Sequence, residues 1–269
     1  MNQQPVIEFD HVTKRFGQNT VIPDLSFTIK QGELVTILGS SGSGKTTTLK
    51  MINGLITPTS GTVKINGQPL ADHNQVNLRR HIGYVVQQIA LFPHMSIRDN
   101  IAVTPKLLKW APTEIDKRVN ELLDLVQLPS QDYADRWPNE LSGGQQQRVG
   151  LARALAANPD LVLFDEPLGA LDALTRLDLQ KEIKQLHASF LGDKTFFFVT
   201  HDLNEALFLG QRVMVMKAGQ IEQFATPQEI VQHPASGFVE ELLATEERNQ
   251  ELWRKLQWLA IGTKTPAPS

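Results

Sequence analysis

Apolar residues along this chain fall into two regimes, and their order sets the fold class. Short apolar runs recur at Val6–Phe9, Leu25–Ile29, Leu34–Leu38, Gly83–Val86, Leu161–Phe164, Thr195–Thr200 and Arg212–Met216. Runs of this length, rich in β-branched and aromatic residues and bounded by turn formers, predict strands. The first two are separated by polar and turn residues at Lys14-Arg15 and Phe16-Gly17 and predict an antiparallel layer. The later five are separated mostly by helical patterns. Strands covered on both faces read in this way, so they predict a buried, mostly parallel sheet flanked by helices. Between about Ser96 and Asn139 the period changes, with Leu107, Leu108, Ile115, Val119, Leu122, Leu123 and Val126 at three- and four-residue steps. Pro129, Pro138 and Asn139 punctuate the exit, and Gly143-Gly144 precede a helical run at Gln145–Ala157. The predicted architecture is an α/β core with an N-terminal antiparallel β layer and a helical subdomain inserted at about residues 96–150. That domain spans residues 1–245, and a short helical tail occupies 246–269.

Bulk properties narrow the function classes without choosing one. The 269 residues are 41% hydrophobic, ample for a packed core. A formal charge of −3 gives no electrostatic argument for nucleic acid or an anionic membrane surface. With no Cys there is neither a disulfide framework nor thiolate chemistry, which fits a reducing compartment. The N-terminus lacks a charged-then-apolar leader pattern, and no apolar window approaches the roughly 20 residues a spanning helix needs. The expectation is a cytosolic chain.

The candidate chemistry begins directly after Leu34–Leu38. Gly39, Ser40, Ser41, Gly42, Ser43, Gly44, Lys45 and Thr46 match G-x-x-x-x-G-K-[ST], with Thr47 following. Gly39 and Gly44 stand where backbone must turn tightly and let amide N–H groups point at a phosphate. Lys45 is then a mobile charge for the β- and γ-phosphates, and Thr46 a hydroxyl ligand for Mg²⁺. Leu49, Met51, Ile52 and Leu55 predict a helix whose N-terminus faces the anion. This makes the core a P-loop NTPase-type fold, with a nucleotide's phosphates and Mg²⁺ as the implied ligands. Leu161–Phe164 runs into Asp165 and Glu166, two carboxylates at the end of a strand. Asp165 is the expected Mg²⁺ partner, directly or through water, and Glu166 the candidate base for the attacking water.

Leu141-Ser142-Gly143-Gly144-Gln145, between the helical insert and the carboxylate strand, resembles the signature motif of ATP-binding-cassette ATPases. The resemblance covers roughly residues 5 to 245. It implies ATP as the nucleotide, that Gln87 senses metal and γ-phosphate, that Asp172 in Ala170-Leu171-Asp172 is one of the nucleotide-binding landmarks, and that His201 contacts the γ-phosphate. Phe16 falls where the family stacks an aromatic ring on adenine, usually Tyr, so here the π-face is kept without the hydroxyl. Asp172 also reads as a helix N-cap for Ala173–Leu186, and Ser142 as a cap before an amide-rich helix start. The resemblance further implies a head-to-tail homodimer in which Ser142, Gly143, Gly144 and Gln145 of one copy complete the site of the other. The implied assembly includes integral-membrane permease subunits, indirectly a solute-binding protein, and no nucleic acid. It places the chain peripherally on the cytoplasmic face of the membrane.

The stretch from Ile82 to Met95, with Asp99–Pro105 and Lys109-Trp110, is similar to ATPases of bacterial importers for glycine betaine, choline or carnitine, and Gln88-Ile89 is its most telling part. Many of those ATPases carry regulatory modules after the core, whereas this chain ends soon after Leu243, so regulation by such modules is not implied. Leu252, Trp253, Leu256, Leu259 and Ala260 recur at helical spacing, with Trp258 off that stripe. The expectation is a tail helix packed on the core, with a dimer, permease or membrane-surface contact as alternatives. An importer ATPase for another small solute such as an amino acid is the alternative cargo, and a non-transport repair or translation ATPase is the runner-up class, disfavoured by a single cassette without a long heptad tract or net basic charge. A catalytically dead interaction protein is disfavoured because Lys45, Asp165, Glu166 and His201 are all present.

Overall fold

The computed structural model describes residues 5–87, 91–190 and 192–262, with side chains through Arg254. Its strands are β1 (Pro5–Phe16), β2 (Asn19–Lys30), β3 (Leu34–Gly39), β4 (Ser60–Ile65), β5 (Gln68–Pro69), β6 (Ile82–Val86), β7 (Leu161–Asp165), β8 (Thr195–Thr200), β9 (Arg212–Lys217) and β10 (Gln220–Ala225). Its α-helices are α1 (Lys45–Ile52), α2 (Gln75–Arg80), α3 (Ile97–Leu107), α4 (Pro112–Leu125), α5 (Ser130–Tyr133), α6 (Gly143–Leu155), α7 (Ala173–Ser189), α8 (Leu203–Leu209), α9 (Pro227–Gln232) and α10 (Gly237–Gly262).

One sheet has the order β2-β1-β4-β5, antiparallel throughout. The other runs β10-β9-β3-β8-β7-β6, parallel except for the edge pair β9/β10. Every residue of β3 and β8 is buried, as a central strand covered on both faces requires. The period of two then divides β8 between two cores. Phe196 and Phe198 join Val162 and Phe164 in a cluster that also holds Ile101, Val119, Leu122 and Leu123 from the helices. Phe197 and Val199 face the other way, with Phe9, Phe27, Ile37 and the α1 residues Leu49, Met51 and Ile52. Phe27 and Phe197 stack across the layers at 6.4 Å between ring centres. The parallel sheet is thus the middle of three layers, and burying a Phe on each side typically stabilises by about 1.5–3 kcal/mol per side chain.

Four departures have simple physical causes. The first hairpin is longer than its apolar runs: Lys14, Arg15 and Phe16 pair with Ile22, Thr20 and Asn19, leaving the turn to Gly17-Gln18. Backbone pairing at an exposed hairpin tip does not need apolar side chains. The strands β4, β5 and β10 were not expected, because each is short or half-exposed and carries too few apolar residues to mark a buried strand. Helix α6 starts at Gly143, two residues earlier than Gln145, because Ser142 caps it. Leu55, Leu107, Leu252 and Trp253 are exposed, the last two despite the expected packing of the tail. Helix α10 seats only its first turns: Val239 is buried and Phe238, Leu242 and Leu243 pack beside it on Val213, Val215 and Ile230. The side chains of Leu256, Trp258, Leu259 and Ala260, and the whole of Gln88, Ile89 and Ala90, lie outside the described residues. No helix among the described residues is long and apolar enough to cross a membrane.

Candidate functional site

Register alone assembles most of the site. Leu38 pairs with Thr200, Asp165 with Val199, and Val86 with Asp165, so the carboxyl ends of β3, β8, β7 and β6 finish in one row. Gly39 at the end of β3, and His201, Glu166 and Gln87 directly after β8, β7 and β6, therefore emerge along a single edge of the parallel sheet, where open α/β sheets bind ligands.

The loop from Gly39 to Gly44 is held tightly. A side chain on Gly39 would collide with the Met216 carbonyl, while Gly42 and Gly44 take φ of 79° and 99°. The Gly219 N–H of the β9–β10 turn donates to the Ser43 carbonyl at 3.0 Å, and Ile22 of the first sheet packs beside Gly44. Ser40 and Ser41 are exposed, and Thr47 is half-buried in the first turn of α1. Lys45 is 4% exposed and donates from Nζ to the carbonyls of Gly39 at 2.7 Å and Ser40 at 3.0 Å. Burial lowers its pKa, opposed by the negative charges of Glu166 and then Asp165. Among the described residues the buried Ser43 hydroxyl has no hydrogen-bond partner. A depressed lysine, an orphaned hydroxyl and a glycine-lined turn at a helix N-terminus fit a bound phosphate, which would neutralise the first and satisfy the second.

Beside the loop, Thr46 Oγ1 donates to Asp165 Oδ1 at 2.9 Å and Tyr84 OH donates to Asp165 Oδ2 at 3.2 Å. Burial, together with the Asp165 charge, pushes the Tyr84 hydroxyl well above its usual pKa, so it stays a donor. Tyr84 was not anticipated. Its signal in sequence is a polar-tipped aromatic inside the apolar strand just before Gln87, visible only once β6 is known to neighbour β7. Among the described residues no three His, Asp or Glu side chains cluster as a metal site. One hydroxyl and one carboxylate is instead the sparse donor set Mg²⁺ takes when nucleotide phosphates and water complete its shell.

Glu166 sits at φ 48°, in the left-handed region, with its N–H on the Val199 carbonyl at 3.1 Å. This conformation costs on the order of 1–3 kcal/mol for a residue with a Cβ. It turns the carboxylate toward His201 Nδ1, 3.0 Å from Oε2, while Oε1 lies 3.9 Å from Lys45 Nζ. Gly169 lies between the other members of this group: a Cβ there would be 3.5 Å from Gln87 Nε2 and 4.0 Å from His201 Cε1. Loop, Thr46, Asp165, Glu166, Gln87 and His201 are thus one constellation.

The remaining candidates stand apart from it. Phe16 lies at the hairpin tip, 48% exposed, with Lys14 Nζ 4.8 Å from its ring centre. Ser142 caps α6 through the Gln145 N–H, and Gln145 Oε1 returns a bond to the Ser142 N–H at 2.9 Å. Gln145 Nε2 is spent on the Tyr133 hydroxyl at 3.1 Å, and Gly143 faces open space. Asp172 caps α7, accepting the Thr175 N–H at 3.0 Å.

A family model described as ABC transporter matches residues 22–169. The chain is 52% identical over 239 residues to a carnitine transport ATP-binding protein, OpuCA, of Listeria monocytogenes, covering 88% of this chain and 59% of that protein. It is 45% identical over 242 residues to the glycine betaine uptake system ATP-binding protein YehX of Escherichia coli, covering 90% of this chain and 78% of that one. The chain spans about six-tenths of the length of the OpuCA proteins it matches. Among solved structures, the dimeric post-hydrolysis state of the ATP-binding cassette MJ0796 bound to ADP and Pi superimposes with a TM-score of 0.71 at 38% identity, covering 82% of this chain and 98% of that one. Motif order, sheet-edge geometry and these matches agree: the chain belongs to the ABC transporter family.

Proposed function

We propose that the chain binds ATP with Mg²⁺ and hydrolyses it as the ATPase subunit of an importer for an osmoprotectant such as glycine betaine, choline or carnitine. The observation that carries the hydrolytic part is the Glu166 carboxylate, held between His201 at 3.0 Å and Lys45 at 3.9 Å beside the Thr46–Asp165 pair. Glu166 takes the proton of the attacking water, and His201 fixes which carboxylate oxygen faces it. Lys45 exchanges its carbonyl partners for phosphate oxygens, and the Ser43 hydroxyl and loop amides bind the same anion. Thr46 and Asp165, with Gln87, would hold Mg²⁺, which supplies charge neutralisation on the phosphates when bound. Phe16 offers an exposed ring for the adenine.

A complete site needs a second copy. The Ser142–Gly144 helix start is an amide-rich terminus of the kind that suits an anion, it takes no part in the constellation around Glu166, and dimeric cassettes are among the similar structures. Head-to-tail pairing lets Ser142, Gly143 and Gly144 of each copy close on the nucleotide of the other. The permease subunits would hold the pair peripherally at the membrane, with a solute-binding protein acting beyond them. The cargo is supported by similarity to ATPases named for carnitine, choline and glycine betaine transport. Sulfate/thiosulfate import proteins CysA match at 44–46% identity and name the competing cargo class. Uptake of labelled betaine, choline, carnitine and sulfate into cells carrying the whole transporter, with Lys45→Ala as the control, separates them. Lys45-dependent sulfate uptake without betaine, choline or carnitine uptake would overturn the cargo, and ATP hydrolysis unaffected by Lys45→Ala would overturn the site.

A further inference from the structure

In the proposed pair, the Glu166 half and the Ser142–Gly144 turn of one chain serve different nucleotides, yet a short covalent and packed path joins them. From Glu166 the chain turns back on itself, the Gly169 N–H reaching the Glu166 carbonyl at 3.3 Å, and it enters α7 through the Asp172 cap. The first turn of α7 is pinned from a second side as well. Arg176 donates to the Leu171 carbonyl at 3.2 Å and pairs with Asp202, the neighbour of His201, at 3.8 Å. Movement of either Glu166 or His201 is therefore felt at this turn.

At Gly144 the turn meets the signature helix through the side chain of Thr175. Thr175 gives its N–H to Asp172 at 3.0 Å, and hydrogen bonding from Thr175 holds that carboxyl below its usual range. Its γ-methyl points the other way: a Cβ on Gly144 would lie only 2.6 Å from Thr175 Cγ2. The methyl occupies the place a Gly144 side chain would take. Close packing transmits displacement because such contacts do not compress.

We propose that Thr175 is a positioning residue whose γ-methyl couples the Glu166–His201 half of each chain to its own Gly144, so that each nucleotide site in the pair responds to the state of the other. The proposal rests on the paired-site function above. Its partner is a second copy of this chain, and it requires coupling through shape rather than through the hydroxyl.

The test separates the two branches of the Thr175 side chain in the full chain. Thr175→Ser removes the methyl and keeps the hydroxyl; Thr175→Val keeps the methyl and removes the hydroxyl. ATP hydrolysis is followed against ATP concentration, and a fluorescent ATP analogue reports binding to dilute, unpaired chain. The serine variant is expected to lose at least about fivefold in maximal rate, the lower end of typical site-to-site coupling, with its Hill coefficient falling toward one. Analogue affinity of the unpaired chain stays within about twofold, because the loop is untouched. The valine variant keeps the unmodified rate and Hill coefficient. A serine variant that keeps rate and cooperativity, a valine variant that fails as the serine one does, or an unmodified chain without cooperativity would each overturn the coupling. The paired-site function fails separately: Glu166→Gln chain that stays monomeric in MgATP would remove it without any Thr175 variant.

Discussion

Replacing Glu166 with Gln moves two quantities in opposite directions, and both follow from the geometry. The amide keeps the size of the carboxylate and can still hydrogen-bond His201, which lies 3.0 Å from Oε2. It cannot accept the proton of an attacking water. Positioned bases contribute about 10²–10⁴-fold, so turnover should fall by that factor, equivalent to about 2.7–5.4 kcal/mol at about 1.36 kcal/mol per decade. The charge lost was also competing for Lys45, 3.9 Å away. Such a pair is worth about 1 kcal/mol in water and about 4 kcal/mol at an effective dielectric of 20. Since the Glu166 side chain is 21% exposed, solvent screening places the effect toward the lower figure. Freed of that competitor, Lys45 binds phosphate more tightly, by up to about tenfold for about 1.4 kcal/mol. Single-turnover phosphate release measures the first effect, and equilibrium binding of a fluorescent ATP analogue the second. Size-exclusion chromatography in MgATP should show the variant trapped as a dimer. Turnover within about threefold of the unmodified chain, or weaker ATP binding, would refute the assignment of Glu166 as base.

Phe16→Ala should leave thermal stability unchanged, since the ring is 48% exposed, while weakening adenine nucleotide binding by about 1–3 kcal/mol, the usual worth of a stacked base; calorimetry with ATP against inorganic triphosphate checks that the loss needs the base. Tyr84→Phe removes a donor from Asp165 and should raise the Mg²⁺ concentration for half-maximal hydrolysis by about tenfold, read from a Mg²⁺ titration at fixed ATP. Burial holds the Glu205 carboxyl above its usual pKa, so folding takes up a proton and stability falls as pH rises from the ordinary carboxylate range through the raised folded value. Glu205→Gln should flatten that fall, with melting temperatures that diverge in its favour toward pH 7 and converge below the ordinary carboxylate range; a constant offset would exclude titration of Glu205 as the cause. Phe198→Ala, at a fully buried site between β8 and the helices, should cost about 3–5 kcal/mol in urea unfolding without changing which residues contact nucleotide.

Local chemistry made the Gly39–Thr46 loop legible, because its backbone turn, its lysine and its helix start are all specified within eight neighbouring residues. Asp165 and Glu166 were legible for the same reason, as polar residues ending an apolar run. The hairpin tip and the edge strand β10 were not, because exposed strands are fixed by backbone pairing and carry little apolar signal. The carbonyl partners of Lys45 belong to the same case: the lysine is obvious, while its resting place on Gly39 and Ser40 depends on how the loop closes.

The order of apolar runs along the chain by itself determined the α/β class, and local sequence determined the phosphate loop and the two carboxylates, since these depend on residues close together in the chain. Only the tertiary structure decided which residues act together. Parallel register sets Val86, Asp165 and Val199 side by side, and so brings Tyr84 to Asp165 and His201 to Glu166. Packing of α6 on α7 sets the Thr175 methyl against Gly144. Pairings across 35 or 81 positions of sequence leave no local pattern, because they are selected by the shared burial of whole strands and helices and not by the residues that meet.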